Sequence, residues 1–380
     1  MTSSELGGPR RHYRALDGLR AVAALSVIYY HSAANGIHLP ISQLAWVGVD
    51  LFFVLSGFLI TGVLLKTRET SNYFRVFYGR RALRIFPIYY AALAAIFCAH
   101  FVLPHYPVYP WTTQVWYWIN ASNFPTAIAL AGVTDLTHFW TLAIEEQFYL
   151  LWPLLVYNLR NRTLLYLCML ALPVEYALRL LPTVARLNAI TDNQFSYRLT
   201  PLHSEGLFAG AAIAILLSEE VLGPSTLKMI RRIAASAGVL ALLSVRWNTA
   251  PQWIVASRFS LLAVAFAAFV AMLAVGPAES LPARALSSGL LRKIGRMSFS
   301  IYVIHLPIMN FLKSHVFGYP STKIALLDRL IVSLLVTVGC ASAAWWAIEE
   351  PCLAMKRFFL YRSATETGTR TEYAPSASAL

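Results

Sequence analysis

YRALDGLRAVAALSVIYYH, residues 13–31, decides how the rest of the chain is read. It enters an apolar run with Asp17 and Arg20, passes through residues 21–30 without a charge, and then places His31 where a membrane span ordinarily carries only apolar side chains. On a helix turning about 100° per residue, His31 falls about 20° from Arg20 and about 40° from Asp17 on the same arc. The three side chains share one face. An ionisable residue inside a membrane span is costly enough to mark a functional position by default.

Composition agrees with a membrane reading. The 380 residues are 58% hydrophobic and 13% charged, against about 25% charged in ordinary soluble domains, and the mean hydropathy is +0.57. A net charge of +13 would suggest nucleic acid in a soluble chain. Here most of the basic residues collect in short loops between apolar runs, as the positive-inside rule requires, so no nucleic-acid partner is expected. Cys98, Cys168, Cys340 and Cys352 are scattered and form no C-x-x-C pair, which argues against a disulfide framework or a metal site. The first apolar run is read as a retained helix rather than a cleaved signal peptide, because further spans follow it.

An all-α fold is expected, a polytopic transmembrane helical bundle of about ten spans. The runs lie at 15–36, 45–66, 81–103, 138–159, 162–181, 203–220, 229–246, 253–275, 294–314 and 326–348. The aromatic stretch 111–124, WTTQVWYWINASNF, is too short to cross and reads as an interfacial segment. An even number of spans puts both termini on one side. That side holds most of the Lys and Arg and is read as cytoplasmic, while the long opposite loop 104–137 holds none. The expected organisation is a cytoplasmic tail at 1–13, a membrane domain at 14–351 and a cytoplasmic, partly disordered tail at 352–380. The tail is too short for a core of its own, so the chemistry is expected inside the bundle.

Charges in or beside the spans are the informative residues. Arg80, Arg81 and Arg84 lie together in NYFRVFYGRRALRIFPIYY, with Arg81 and Arg84 on one helical face. Two readings stand: arginines snorkelling to lipid headgroups, or a clamp in which planar guanidinium groups grip a phosphate. Asp50 lies near the outer end of the second span. Glu145 and Glu146 sit seven to eight residues inside the fourth, where carboxylates need partners. His305, in SFSIYVIHLPIM, repeats the signal of His31 more weakly. No H-E-x-x-H, G-x-S-x-G or phosphate-loop motif is present.

Six stretches together resemble the acyltransferase-3 family of integral membrane O-acyltransferases: RALDGLRAVAALSVIYYH (14–31), GVDLFFVLSGFLIT (48–61), FYGRRALRIFPIYY (77–90), FWTLAIEEQFYLLWPLL (139–155), GRMSFSIYVIHLP (295–307) and IEEP (348–351). In that family an Arg or Lys followed by ten residues and a His marks the first helix, here Arg20 and His31. An R-x-x-R pair opens the third, here Arg81 and Arg84. The chain is similar to members without an appended extracytoplasmic esterase-like domain. The resemblance implies a multi-pass protein of the inner (cytoplasmic) membrane. It would transfer an acyl group, usually acetyl, from cytoplasmic acetyl-CoA or another acyl-CoA to a hydroxyl of a cell-surface glycan or lipid-linked sugar, with no metal. Arg20, Arg80, Arg81 and Arg84, with Asp17 beside them, then suit the donor. His31 suits the general base, oriented by Asp17, Asp50, Glu145 or Glu146. Direct transfer and a covalent path through His31 are both open. The rival reading is a transporter or flippase of acyl groups or glycans, with the buried charges forming a proton path.

Overall fold

Inside a bilayer each backbone polar group must be satisfied within its own segment, and an apolar run meets that demand as a helix. The computed structural model describes residues 13–34, 42–103, 106–128, 132–246, 251–317, 323–362 and 372–373. Helices α1 (Arg14–Ala34), α2 (Gly48–Thr67) and α3 (Tyr73–Cys98) form the first three expected spans. The aromatic stretch becomes two short helices, α4 (Trp111–Trp118) and α5 (Asn123–Ala127). Then come α6 (Phe139–Asn158), α7 (Asn161–Arg179), the short α8 (Pro182–Ile190) and α9 (Gln194–Arg198), and α10 (Glu205–Ser218). The remainder holds α11 (Leu227–Arg246), α12 (Gln252–Val275), α13 (Leu281–Leu286), α14 (Gly289–Arg296), α15 (Ser298–Leu312), α16 (Lys323–Ala344) and α17 (Glu350–Ala354). Two-residue strands β1 (Tyr361–Arg362) and β2 (Glu372–Tyr373) pair antiparallel.

The architecture is a helical membrane bundle, and each expected span falls on a helix. Fewer of them qualify as spans on length and composition. Four helical stretches among the described residues do so: Leu44–Thr67, Tyr73–Phe101, Gln252–Val275 and Asp328–Phe358. A fifth is possible if α7 and α8, bent by 68°, count as one. The shortfall has a physical cause. Helix α1 carries Arg14, Asp17 and Arg20, α6 carries Glu145 and Glu146, and α10 has only 14 residues. The charges that make α1 and α6 interesting are those that lower their apolar score.

Helix α3 begins at Tyr73, eight residues before the expected span. Arg81 and Arg84 therefore stand more than two turns inside the helix instead of at its start, and Arg84 is buried. The segment after α17 packs against this end of α3: Asn72 donates to the Leu360 carbonyl at 2.7 Å, Arg80 Nε donates to Phe359 O at 2.7 Å, and Tyr361 is buried. The expectation of a partly disordered tail falls, beyond residue 362, almost wholly outside the described residues.

Helix α2 is the centre of the bundle, packed on α1, α6, α10 and α12. Its crossing with α10 is set by small residues. A Cβ at Gly57 would lie 1.9 Å from the Leu207 carbonyl oxygen, and one at Gly210 would lie 2.0 Å from that of Val54. Small residues let membrane helices approach to backbone contact. Helix α1 lies as closely on α13 and α14, where Cβ atoms at Gly18 and Gly295 would strike backbone oxygens at 1.8 Å. Gly62, on α2, has nothing within 4 Å of an added Cβ. Gly57→Val should therefore lower the melting temperature in detergent, by an overpacking cost of about 1–3 kcal/mol or more. Gly62→Ala should leave it unchanged or raise it slightly; equal melting of the two variants would contradict this packing.

Candidate active site

A cavity of about 70 Å³ opens between α1, α2, α3, α6 and α15. Its charged lining is Arg20 from α1, Arg81 and Arg84 from α3, and Glu145 from α6; Ser56, Thr141, Tyr149, Ser298 and Tyr302 add polar atoms. Phe52, Phe53, Leu55 and Leu59 of α2 form much of the apolar wall. Three guanidinium groups face one carboxylate, so the lining suits an anion.

Arg84, Arg81 and Glu145 are held by particular partners. Arg84 pairs with the buried Glu349 at 3.3 Å, donates to the Arg296 carbonyl at 3.2 Å and lies over Trp345 at 5.6 Å. Trp345–Glu349 is one turn of π-helix between α16 and α17, a local rewinding that often occurs where a side chain must be re-aimed. Ser300 donates a short hydrogen bond to Glu349 Oε1. Arg81 lies over the Tyr149 ring at 4.1 Å. Glu145 accepts from Ser56 Oγ at 2.6 Å. Arg20 lies in the field of Arg81, Asp17, Tyr149 and Glu145.

Tyr302 and Thr141 form one side of the cavity, their hydroxyls 2.6 Å apart; one donates to the other, which leaves the second hydroxyl to donate to the His138 carbonyl, 3.1 Å from Thr141 Oγ1 and 3.2 Å from the Tyr302 hydroxyl. Next to them is a cluster of imidazoles. The His305 ring centroid is 5.1 Å from His31 and 4.6 Å from His138; the Tyr302 ring is 5.5 Å from His305 and 5.4 Å from His138. Pro307 organises this cluster. Having no N–H, it leaves the Val303 carbonyl without its helical donor, and His138 Nε2 fills that place at 3.2 Å. Since a carbonyl only accepts, His138 carries its proton on Nε2. By the same argument His305, 2.6 Å from the Tyr302 carbonyl through Nδ1, carries its proton there. The remaining nitrogens, His138 Nδ1 and His305 Nε2, are buried with no hydrogen-bond partner among the described residues.

The residues singled out in the sequence thus fall into groups. Arg20, Arg81, Arg84 and Glu145 meet at the cavity. Arg80 is turned toward the C-terminal segment, on Phe359 O and 5.7 Å from the Tyr361 ring. Asp17 does not line the cavity but acts electrostatically on Arg20 and Arg84. Glu146 also lies outside the lining, in the field of Arg81 and Glu145. Asp50 Oδ1 is 2.9 Å from His203 Nε2 in a buried pair, and His203 is fixed by Nδ1–H to Tyr197 O at 2.7 Å. Asp50 is engaged away from the cavity, and among the described residues the rings against His31 are Tyr30 and His305. His138, His203, Tyr302 and Glu349 were missed. His138 stands at the edge of its apolar run and reads as a boundary residue; the i,i+2 pair of His305 and Pro307 was the available clue to a freed carbonyl.

A family model described as an acyltransferase domain matches residues 13–346. The O-acetyltransferase OatA of Staphylococcus aureus is 28% identical over 374 residues, covering 90% of this chain and 57% of the relative. The peptidoglycan O-acetyltransferase OatA of Listeria monocytogenes is 28% identical over 362 residues, covering 90% and 56%. The chain therefore spans little more than half the length of these curated relatives. No solved structure matches it. Removing one member of a buried ion pair strands the other charge, at about 3–5 kcal/mol. Glu349→Ala should accordingly lower folded yield and thermal stability strongly, with recovery in the double variant Glu349→Ala, Arg84→Met. Wild-type melting of the single variant would contradict the pairing.

Proposed function

We propose a function on the premise that the chain belongs to the acyltransferase domain family, matched over most of its length. It is a membrane O-acyltransferase that moves an acyl group, acetyl in the names of its relatives, from cytoplasmic acyl-CoA to a hydroxyl of a cell-surface or lipid-linked glycan. The observation that carries the reading is the juxtaposition of a cavity lined by three arginines with an imidazole cluster across Tyr302 and Thr141. Arg20, Arg81 and Arg84 suit the phosphates of a coenzyme A thioester, since guanidinium groups bind phosphate by paired, charge-assisted hydrogen bonds. Both termini then lie on the cytoplasmic side, and the acceptor approaches from the other.

His31 is the general base of this reading. The acceptor hydroxyl gives His31 its proton as its oxygen forms a bond to the thioester carbonyl carbon; the carbon–sulfur bond breaks, and the proton ends on the departing thiolate. A neutral hydroxyl is a poor nucleophile, so a base within hydrogen-bond reach contributes about 10²- to 10⁴-fold. Peptidoglycan, named for one relative, is the first glycan to try.

The test uses full-length protein in nanodiscs with labelled acetyl-CoA and peptidoglycan fragments, transfer being read by mass spectrometry. His31→Ala should lower kcat by about 10²- to 10⁴-fold and leave donor affinity nearly unchanged. Arg81→Ala should weaken donor binding by about tenfold or more, the loss of one charge-assisted contact. Retained turnover in the first variant would remove His31 from the chemistry, and unchanged donor affinity in the second would leave Arg81 a helix-packing residue.

A further inference from the structure

A general base must offer a lone pair from a defined nitrogen, so something must fix the tautomer of His31. In many enzymes a carboxylate accepts a hydrogen bond from the N–H of the other ring nitrogen and does this. Of the four candidate carboxylates, Asp50 is on His203 and Glu145 is on Ser56; Asp17 lies fourteen residues before His31 on α1, about 21 Å along the helix, and Glu146 lies in the field of Arg81 and Glu145. The ring beside His31 from another helix is His305, fully buried, with Nδ1–H anchored on the Tyr302 carbonyl and Nε2 an unpartnered acceptor.

We propose that His305 is the positioning residue for His31, its Nε2 lone pair accepting the N–H of His31 and so fixing which His31 nitrogen is left basic. The proposal rests on the reading of His31 as the base. The ring centroids are 5.1 Å apart with planes inclined at 45°. That separation is close to the spacing of two imidazoles joined by one N–H···N bond, so a turn of the His31 ring completes the contact. His305 cannot donate from Nε2, because its one proton is held at Nδ1 by a backbone carbonyl. Its role is therefore acceptance alone. His138 also lies against His305, at 4.6 Å between ring centroids, with its own N–H donated to the carbonyl freed by Pro307. A buried acceptor left unmade costs about 1–3 kcal/mol; here the contact with His31 gives it a partner. The chain of contacts runs from the Tyr302 carbonyl through His305 to His31, with backbone playing the part that a carboxylate plays elsewhere.

Two variants separate anchoring from acceptance. His305→Asn keeps a donor for the Tyr302 carbonyl but has no acceptor at the Nε2 position. His305→Gln places an amide oxygen there. In full-length protein carrying ¹⁵N-histidine, the His31 ring nitrogens should report one tautomer in wild type and in His305→Gln, and a mixture in His305→Asn. In the transfer assay His305→Asn should lose about tenfold or more in kcat with donor KM within about twofold, and His305→Gln should recover most of it. An unchanged His31 tautomer in His305→Asn would overturn the proposal, as would a Gln variant no more active than the Asn variant. If the wild-type protein transfers no acetyl group, or if His31→Ala remains active, the functional reading fails instead, and the NMR comparison still decides whether His305 orients His31.

Discussion

The cost of holding guanidinium groups among apolar helices governs this structure. An unpaired charge in that setting would be prohibitive, and the supports of Arg84 and Arg81 help fix the helices. Arg84 ties α3 to the π turn after α16 through Glu349, and to the end of α14 through the Arg296 carbonyl. Arg81 rests on Tyr149 of α6. Backbone-to-backbone packing at Gly57 and Gly210, and at Gly18 and Gly295, keeps α2, α10, α1 and α14 in register around them. The result is a lining with more positive than negative groups, which the proposed thioester donor would complete.

Much of this was legible in the sequence. Apolar runs of membrane length became helices, and two faces were readable from a period of about 3.6 residues: that of Asp17, Arg20 and His31 on α1, and that of Arg81 and Arg84 on α3. Periodicity places residues on faces of one helix only, and for that reason it could not say which carboxylate faced which cation. Asp50 was one of four carboxylates read as able to orient His31, and it sits on His203, a residue 153 positions away. Glu349 was visible only as part of IEEP, since the π turn that aims it at Arg84 has no signature in apolar pattern. The helix start also escaped: α3 begins at Tyr73 because polar and aromatic residues before Arg81 continue the helix without lengthening the apolar run. Arg80 therefore faces the C-terminal segment while its neighbour faces the cavity.

Pro307 shows how a single absent N–H organises a site. It frees one carbonyl in α15, which accepts the His138 Nε2–H, while the Tyr302 carbonyl accepts the His305 Nδ1–H, so two adjacent imidazoles are each left with a defined basic nitrogen. Tyr302 and Thr141 lie between this cluster and the arginine-lined cavity. In the proposed reaction the two regions serve the two substrates, donor phosphates on one side and acceptor hydroxyl on the other, and the thioester carbonyl must come to the boundary between them.

The most direct test of that arrangement is a structure of the protein in nanodiscs with a non-hydrolysable acyl-CoA analogue. The account expects the diphosphate against Arg20, Arg81 and Arg84, with the acyl carbonyl at the Tyr302 and Thr141 boundary, toward His31. An analogue bound elsewhere, or bound in the cavity with its acyl end pointing away from the imidazoles, would contradict it.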